Sequence, residues 1–368
     1  MVVINARFLT QELRGVQRFA EQVSLALQAR RPDLVFVCPD HIQMHDTARR
    51  LNVQTLGRRN GHLWEQLDLP RYLHRLGSPL LVSLGATAPL LYRNQIATHH
   101  DITYARHPES YTWAFRTSYR VMTPILLKHL KTLITVSDFS RREIAEFYDF
   151  PKERILVVPN AVSDKFQPGV PARQRDGYLL AVSSPSAHKN FTRMIHAFLQ
   201  LKGHDRVQLR IVGAANDIFA DPSLQRLASS DKRIRLLGRL SDEELIVQYQ
   251  GAAAFVFPSL YEGFGIPPLE AQACGCPVLA ANAASIPEVL QSSALYFDPL
   301  DTGHITQAMH LALSNQCIRQ QLRTLGLHNV SRFDWDRSAA LVSEQIDALL
   351  AQQPSTHAAL PLNASVPK

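Results

Sequence analysis

Short apolar runs alternate with amphipathic stretches along the chain, and this alternation restricts the fold more than any other feature. Such a pattern predicts βα units, in which parallel strands form a sheet covered by helices. The first series of expected strands is Val2–Ile4, Leu34–Cys38, Leu80–Leu84, Ile96–His99, Leu133–Ser137 and Arg154–Val158. The second series is Tyr178–Ser183, Val207–Val212, Ile234–Leu237, Ala254–Pro258, Val278–Ala281 and Leu295–Phe297. We therefore predict an α/β protein with two Rossmann-like, doubly wound parallel sheets.

One stretch interrupts the alternation. Residues 166–177 contain two prolines and two glycines without an apolar period, which indicates a linker. A chain of 368 residues is long enough for two domains, which we place at residues 1–165 and 166–335. A closing helix at 336–351 is expected to pack back toward the first domain, followed by an unstructured tail at 352–368. Because ligands of such sheets bind beyond the carboxyl ends of the strands, we expect a site in the cleft between the domains.

The positive charge of the chain is concentrated in its first half. Residues 1–165 hold 22 basic and 15 acidic residues, whereas residues 166–368 hold 17 of each. A basic half suggests an anionic partner, such as a phosphorylated substrate or a phospholipid surface, although a solubility bias explains it equally well. No nucleic-acid-binding motif accompanies the charge, so nucleic acid is not an expected partner.

Compartment and cofactor use are constrained by what the sequence does not contain. No apolar run approaches the ~18–20 residues of a membrane span, and no secretion signal is visible. Cys38, Cys274, Cys276 and Cys317 match no zinc-ligand spacing. We therefore expect a cytoplasmic protein that uses no cofactor or metal. The stretch Arg116–Leu133 has the pattern of a basic amphipathic helix, which could lie on the inner face of an anionic membrane or be an ordinary surface helix.

The most informative segment, residues 257–271, follows an apolar strand and reads FPSLYEGFGIPPLEA. Gly263 and Gly265 would allow backbone amides to approach a ligand closely, and amides at a helix start favour anionic groups. Glu262 and Glu270 lie eight positions apart, and each carboxylate could accept hydrogen bonds from vicinal hydroxyls. The segment therefore predicts a site that binds a sugar and a ribose.

This segment resembles the E-x7-E signature of the retaining family 4 glycosyltransferases, whose GT-B fold consists of two Rossmann-like domains facing across a cleft. The resemblance covers nearly the whole chain, up to about Leu350. Within the family, the N-terminal stretches are similar to the branch of mannosyl- and rhamnosyltransferases that build bacterial O-antigen and exopolysaccharide. The further stretches that carry the resemblance are residues 15–19, 100–104, 107–109, 273–280, 285–289 and 295–299.

The resemblance implies a donor site in the second half. Glu270 would hold the donor ribose and Glu262 the donor sugar. Lys189 would bind the diphosphate. A lysine at a helix N-terminus is poorly placed for the helix dipole, but it is well placed to pair with a phosphate that the same terminus binds. Many members carry an arginine at the position of Ser183, and a protonated His188 could replace that charge. The expected donor-binding residues are Ser183, His188, Lys189, Gly213, Leu240, Glu262, Gly263, Phe264, Gly265, Ile266 and Glu270.

The resemblance also assigns residues of the first half. His100 would reach across the cleft to the donor sugar, although a lone histidine is more often structural. The expected catalytic residues are therefore His100, Lys189 and Glu262. The expected acceptor-binding residues are Arg14, Gly15, Asp101 and Ser137, and Asp101 is also a candidate to cap or orient its own loop.

Two polar patterns have structural interpretations. Asp334-Trp335-Asp336 could be mistaken for the D-x-D metal motif of the other major glycosyltransferase fold. It precedes the last helix, and we interpret Asp336 as the cap of that helix. Ser241 with Glu244 fits a capping box.

The implied activity is retaining transfer of a hexose, with mannose or rhamnose favoured. The donor would be a nucleotide-sugar such as GDP-mannose, and the acceptor a lipid-linked precursor of a surface polysaccharide. The departing phosphate oxygen would take the acceptor proton. Two alternatives remain open, a nucleotide-sugar epimerase of the same fold and a non-catalytic nucleotide-sugar-binding protein. Consumption of donor only when acceptor is present would distinguish transfer from both.

Overall fold

A computed structural model of the protein describes residues 1–169, 177–183, 186–213 and 222–352. Most of the predicted linker and all but the first residue of the predicted tail lie outside these ranges. Among the described residues, no helix has the length and apolar character needed to cross a bilayer.

The first domain is built on a seven-stranded parallel sheet in the order β3-β2-β1-β4-β5-β6-β7. Strands β1, β4, β5 and β6 are buried along their whole length, as expected for a parallel sheet covered on both faces. The strands are β1 Val2–Asn5, β2 Leu34–Cys38, β3 Gln54–Thr55, β4 Leu80–Ser83, β5 Gln95–Thr98, β6 Thr132–Thr135 and β7 Ile155–Val157. The helices are α1 Gly15–Arg30, α2 His45–Arg50, α3 Gly61–Leu63, α4 Leu69–Arg75, α5 Thr103–Arg106, α6 Trp113–His129 and α7 Asp138–Tyr148. A π-helical turn, Trp64–Asp68, joins α3 to α4.

The second domain repeats this design with a six-stranded parallel sheet in the order β10-β9-β8-β11-β12-β13. The strands are β8 Tyr178–Val182, β9 Gln208–Val212, β10 Ile234–Gly238, β11 Ala254–Phe257, β12 Val278–Ala281 and β13 Ala294–Phe297. The helices are α8 Phe191–Leu199, α9 Pro222–Ser229, α10 Asp242–Gly251, α11 Ile266–Ala273, α12 Ile286–Leu290, α13 Thr302–Ser314, α14 Gln316–Val330 and α15 Trp335–Ala351. In both sheets the first strand lies beside the fourth, which is the point where a doubly wound sheet opens a binding crevice. The predicted fold class is confirmed.

Most expected strands differ from the observed ones by one or two residues at an end, and two match fully, Leu34–Cys38 and Val278–Ala281. The sequence did not indicate β3, because its two residues are exposed and polar. Ser137 does not end a strand as we expected. Its backbone is extended, and its hydroxyl accepts a hydrogen bond from the Ser140 amide as the N-cap of α7.

One predicted cap was wrong and one is confirmed. Asp334, not Asp336, caps α15, and its carboxylate accepts hydrogen bonds from the amides of Asp336 (2.6 Å) and Arg337 (3.2 Å). Asp336 already lies in the first helical turn, so its side chain cannot serve as the cap. Ser241 and Glu244 form the reciprocal capping box of α10.

The last helix returns to the first domain and packs along α1. The Arg31 guanidinium lies 2.6 Å from the carboxylate of Asp347. The Ser338 hydroxyl donates a hydrogen bond to the carbonyl of Pro159 (2.7 Å), at the end of the first domain. The hydrogen bond of Ser338 therefore holds the start of α15 against the end of the first domain.

Candidate active site

The loop of residues 258–265, which we call the Gly263 loop, joins β11 to α11 at the edge of the second sheet. Gly265 has a φ of +92°, a backbone conformation that favours glycine. Gly263 is required for a different reason, since a Cβ there would lie 2.7 Å from a carboxylate oxygen of Asp101 in the first domain. The two glycines therefore allow a tight turn and a close approach between the domains.

Lys189 and Glu262 meet at this loop. Lys189 ends a 3-10 turn just before α8, and the next residue, Asn190, adopts the left-handed conformation that asparagine tolerates. The Asn190 amide group donates to the carbonyl of Pro258, which ties this turn to the Gly263 loop (3.1 Å). The Lys189 ammonium donates to the Glu262 carboxylate at 2.6 Å. Both side chains are mostly buried, so two of the three expected catalytic residues form one charge pair.

Glu270 lies on α11 beneath the same cleft. Its carboxylate accepts a hydrogen bond from the Tyr249 hydroxyl (3.2 Å). Desolvation raises the pKa of Glu270 to about 7, and the nearby positive charge of Arg18 together with the Tyr249 hydrogen bond opposes part of that rise. Glu270 therefore changes its protonation state near neutral pH.

His100 follows β5, and its ring packs edge-on against Phe19 at 5.0 Å between centroids. Desolvation lowers the pKa of His100 to about 4, with the Asp101 carboxylate opposing the shift, so the imidazole is neutral at pH 7. Its Nε2 atom is buried and has no hydrogen-bond partner among the described residues. Buried polar atoms are usually paired, which makes this nitrogen a candidate to contact a ligand.

Asp101 orients its own loop. Its Oδ1 atom accepts hydrogen bonds from the amide (2.8 Å) and the hydroxyl (2.6 Å) of Thr103, at the start of α5. The other carboxylate oxygen lies against Gly263. Asp101 therefore shapes the contact between the domains at the Gly263 loop.

His188 is also part of the contact between the domains. Its Nδ1 atom lies 2.9 Å from the Ser110 hydroxyl, and its ring lies parallel to that of Tyr111. Desolvation and the positive charge of Lys189 lower the pKa of His188 to about 3. A neutral His188 supplies no positive charge in place of an arginine at the position of Ser183.

The other expected donor residues lie along the edge where the strands of the second sheet end. Ser183 and Gly213 follow β8 and β9, Leu240 follows β10, and Ile266 begins α11. The amides of Ser183 and Gly213 donate to carbonyls of the neighbouring strands. The structure thus brings these residues to the same edge as Lys189 and Glu262.

The start of α7 in the first domain is hydrogen-bonded to the Gly263 loop of the second domain. The Ser137 hydroxyl donates to the carbonyl of Gly263 at 2.6 Å. The Glu288 carboxylate of α12 accepts hydrogen bonds from the amides of Asp138 (2.7 Å) and Phe139 (2.8 Å). A carboxylate from one domain therefore satisfies the free amides at a helix N-terminus of the other. We call this set of bonds the α7 clasp.

A second link between the domains lies near Glu270. The Arg18 guanidinium on α1 lies 3.2 Å from the Asp242 carboxylate at the start of α10. Sequence reasoning missed Arg18, Asp242 and Glu288 as site residues. Each of the three is a single charged residue, and only the packing of the domains shows its partner.

Arg14 and Gly15, two of the expected acceptor residues, border a cavity of about 640 Å³ within the first domain. Arg14 is exposed and pairs with Glu12 at 3.3 Å. Asp101 and Ser137, the other two, do not border the cavity and instead contact the Gly263 loop. The four residues therefore divide between two places.

Among the described residues, no group of three or more His, Cys, Asp or Glu side chains is arranged to hold a metal ion. Cys38 is buried and Cys317 is exposed, and neither forms a disulfide bond.

Comparison with known proteins identifies the class. A family model described as Glycosyl transferases group 1 matches residues 162–326, and one described as Glycosyltransferase Family 4 matches residues 13–166. O-antigen chain mannosyltransferase B of Escherichia coli is 32% identical over 257 residues, which cover 66% of this chain and 67% of the relative. O-antigen chain mannosyltransferase RfbU of Salmonella typhimurium is 33% identical over 282 residues, which cover 74% of each chain. The crystal structure of Anabaena Alr3699/HepE in complex with UDP and glucose has a TM-score of 0.73 at 17% identity, covering 95% of this chain and 100% of that one.

The two facing parallel-sheet domains define an enzyme of the GT-B glycosyltransferase class. The chain belongs to the family 4 glycosyltransferases, also described as glycosyl transferases group 1.

Proposed function

We propose that the protein transfers mannose, with retention of anomeric configuration, from a nucleotide-sugar to a sugar hydroxyl of a lipid-linked O-antigen-type precursor. The relatives named O-antigen mannosyltransferases support the sugar and the product class. The observation that carries the proposal is the charge pair of Lys189 and Glu262, 2.6 Å apart at the Gly263 loop. This pair offers a cation that could bind phosphate oxygens beside an anion that could bind hydroxyls, and a sugar diphosphate carries both groups.

Leaving-group stabilisation is the role of Lys189 in this proposal. Breaking the anomeric bond leaves negative charge on the departing diphosphate, which a preorganised cation and helix-terminal amides stabilise. An arriving diphosphate would draw the Lys189 ammonium from Glu262, and the carboxylate would then accept the sugar hydroxyls. Donor binding and correct placement of Glu262 are thus coupled.

The remaining residues hold the sugar and the ribose. Neutral His100 would contact the sugar through its unpartnered Nε2 atom, and ionised Glu270 would accept the ribose hydroxyls. For retention, the acceptor would attack on the face from which the diphosphate leaves, and a departing phosphate oxygen would take its proton. No carboxylate nucleophile is then needed, in contrast to retaining hydrolases.

Contact with an anionic bilayer through α6 is a further part of the proposal. The outer surface of this helix exposes Trp113, Arg120, Val121 and Lys128. Basic residues that flank an exposed tryptophan suit the headgroup region of an anionic membrane. A lipid-linked acceptor would be presented at that surface.

A donor screen tests the proposed activity. The protein is incubated with GDP-mannose, GDP-rhamnose, dTDP-rhamnose or UDP-sugars, together with a mannose- or rhamnose-ended lipid acceptor. We expect acceptor-dependent release of GDP from GDP-mannose and an α-linked product by NMR, with and without EDTA. Donor conversion that is independent of acceptor would favour an epimerase, and nucleotide binding without turnover would favour a sensor.

A further inference from the structure

Arg18 occupies an unfavourable electrostatic position at the start of α1. It lies in the first turn of this helix, where the free amides carry partial positive charge, and no acidic residue accompanies it in that turn. A cation at this end opposes the dipole of its own helix. The Arg18 side chain is only 19% exposed, so solvent screens little of that opposition. The position therefore needs a compensating negative charge from outside α1.

The second domain supplies that charge. The Nη2 atom of Arg18 lies 3.2 Å from each carboxylate oxygen of Asp242, in the first turn of α10. An aspartate suits this place, because its charge agrees with the helix dipole and the capping box of Ser241 and Glu244 fixes the backbone there. Asp242 is thus a fixed anchor, and Arg18 is the side chain that reaches it from the first domain.

This anchor lies on the same face of α10 as the hydrogen-bond partner of Glu270. Tyr249 follows Asp242 by seven residues, which is close to two helical turns, so both project from one side of the helix. Tyr249 is fully buried, and its hydroxyl donates to the Glu270 carboxylate at 3.2 Å. Arg18 and Glu270 therefore meet the same face of α10 from two different domains.

The charges on this face act on Glu270 in opposite directions. Desolvation is the main cause that raises the pKa of Glu270, and the negative charge of Asp242 adds to it. The positive charge of Arg18 is the main cause that lowers it, ahead of the Tyr249 hydrogen bond. Without Arg18, the carboxylate would face the charge of Asp242, which opposes ionisation. A residue of the first domain therefore favours the ionised form of a carboxylate in the second.

We propose that Arg18 is a positioning residue of the donor site: held on Asp242 across the interface, it supplies the positive charge that prepares Glu270 to bind the ribose. Because Arg18 belongs to the first domain, Glu270 is fully prepared only while the domains are docked at this point. Phe19, the next residue, packs edge-on against His100 at 5.0 Å, so the start of α1 supports both groups. This inference rests on the proposed function for the assignment of the ribose to Glu270.

The test measures GDP binding by isothermal titration calorimetry between pH 6 and pH 9, with UDP in its place if UDP binds the wild type more tightly. The variants are Arg18→Ala and Arg18→Gln, and the second keeps hydrogen-bond donors toward Asp242 while it removes the charge. We expect both to weaken binding by about 3–10-fold at pH 7 and to displace the rise in affinity to higher pH, because more of Glu270 stays protonated. Arg18→Lys retains the charge and should restore most of the affinity.

Three controls separate this role from a general loss of structure. Arg239→Ala breaks another ion pair between the domains, with Glu12 at 3.8 Å, and should bind GDP as the wild type does. 2′,3′-Dideoxy-GDP lacks the ribose hydroxyls, so the Arg18 variants should bind it as well as the wild type does. In a Glu270→Gln background, Arg18→Ala should change GDP affinity by less than about twofold, since the group on which it acts is gone.

An unchanged pH dependence of GDP affinity in a folded Arg18→Ala or Arg18→Gln protein would overturn the role of Arg18. An equal loss of affinity for GDP and for its dideoxy analogue would overturn it as well. None of these measurements needs turnover. The expected binding results from a wild type that transfers no mannose would support the role of Arg18 while the proposed activity fails. Mannose transfer by a wild type whose Arg18 variants bind GDP normally would support the activity and overturn the role.

Discussion

The Gly263 loop and the cavity of the first domain are built in opposite ways. At the loop, Glu262, Gly263, Gly265 and Glu270 come from one short segment, and Lys189 reaches it from another part of the same domain. The cavity takes its lining from residues between Asn5 and Leu126, spread over several strands and helices. A site held in one loop can be identified from sequence, whereas a site assembled at the ends of parallel strands becomes visible only with the topology. The predictions below test this division, from the largest expected effect to the smallest.

Removing the donor cation should have the largest effect. We expect Lys189→Ala to lower kcat/KM by about 10²–10³-fold, because the departing diphosphate loses a preorganised charge and Glu262 loses its partner. Nucleotide release under steady-state conditions measures the change, and thermal unfolding checks that the domain is intact. Lys202→Ala, an exposed lysine of the same domain, is the control. Near-normal turnover in Lys189→Ala would remove Lys189 from the mechanism.

The α7 clasp connects the two domains, so breaking it should affect the parts of the site in both domains. Glu288→Ala removes the carboxylate that binds the amides of Asp138 and Phe139. We expect a loss of about 10–100-fold in kcat/KM, since small misplacements of reacting groups cost up to about 10²-fold. Glu288→Gln retains one accepting oxygen, so its kcat/KM should lie between the values of Glu288→Ala and the wild type.

Small-angle scattering of the Glu288 variants gives the structural readout. If the clasp holds the domains together, Glu288→Ala should have a larger radius of gyration than the wild type in the presence of donor. An unchanged radius together with full activity would show that the Gly263 loop is positioned without help from the first domain.

A smaller effect is expected from the protonation of Glu270. Its pKa of about 7 means that the ionised fraction rises from about 10% at pH 6 to about 90% at pH 8. In the proposed role of Glu270, only the ionised carboxylate would accept both ribose hydroxyls, so the donor KM should fall by up to about tenfold over this range. Arg18, Asp242 and Tyr249 face the same carboxylate, and the Glu270→Gln variant separates its titration from theirs. A pH profile that keeps its shape in Glu270→Gln would assign the change to another group.

The smallest effect concerns the outer surface of α6. Lys128→Ala should weaken binding to phosphatidylglycerol-containing vesicles by about fivefold, from about 1 kcal/mol per basic residue near an anionic surface. Co-sedimentation at low salt measures it, and Lys152→Ala, an exposed lysine elsewhere in the same domain, is the control. Equal binding of both variants, or equal binding to neutral vesicles, would argue against membrane contact through the outer surface of α6.

The difference between a site held in one loop and a site assembled from many elements also explains which features the sequence predicted. Periodicity predicted the strands of both sheets, because parallel strands are continuous apolar runs, and it missed only the polar, two-residue β3. Within the Gly263 loop the residue types themselves led to the predicted donor site, and the structure brings Lys189 to the loop beside Glu262. The partners of Glu288 could not be found in this way, since the amides of Asp138 and Phe139 lie about 150 residues earlier in the chain.

The bond between Ser338 and Pro159 has a consequence for how substrates enter. This hydrogen bond joins the start of α15 to the end of the first domain. If the domains open to admit a donor by rotating about this point, the bonds of Glu288 and Ser137 to the opposite domain would break and form again in each catalytic cycle. These two residues would then contribute to the rate of product exit.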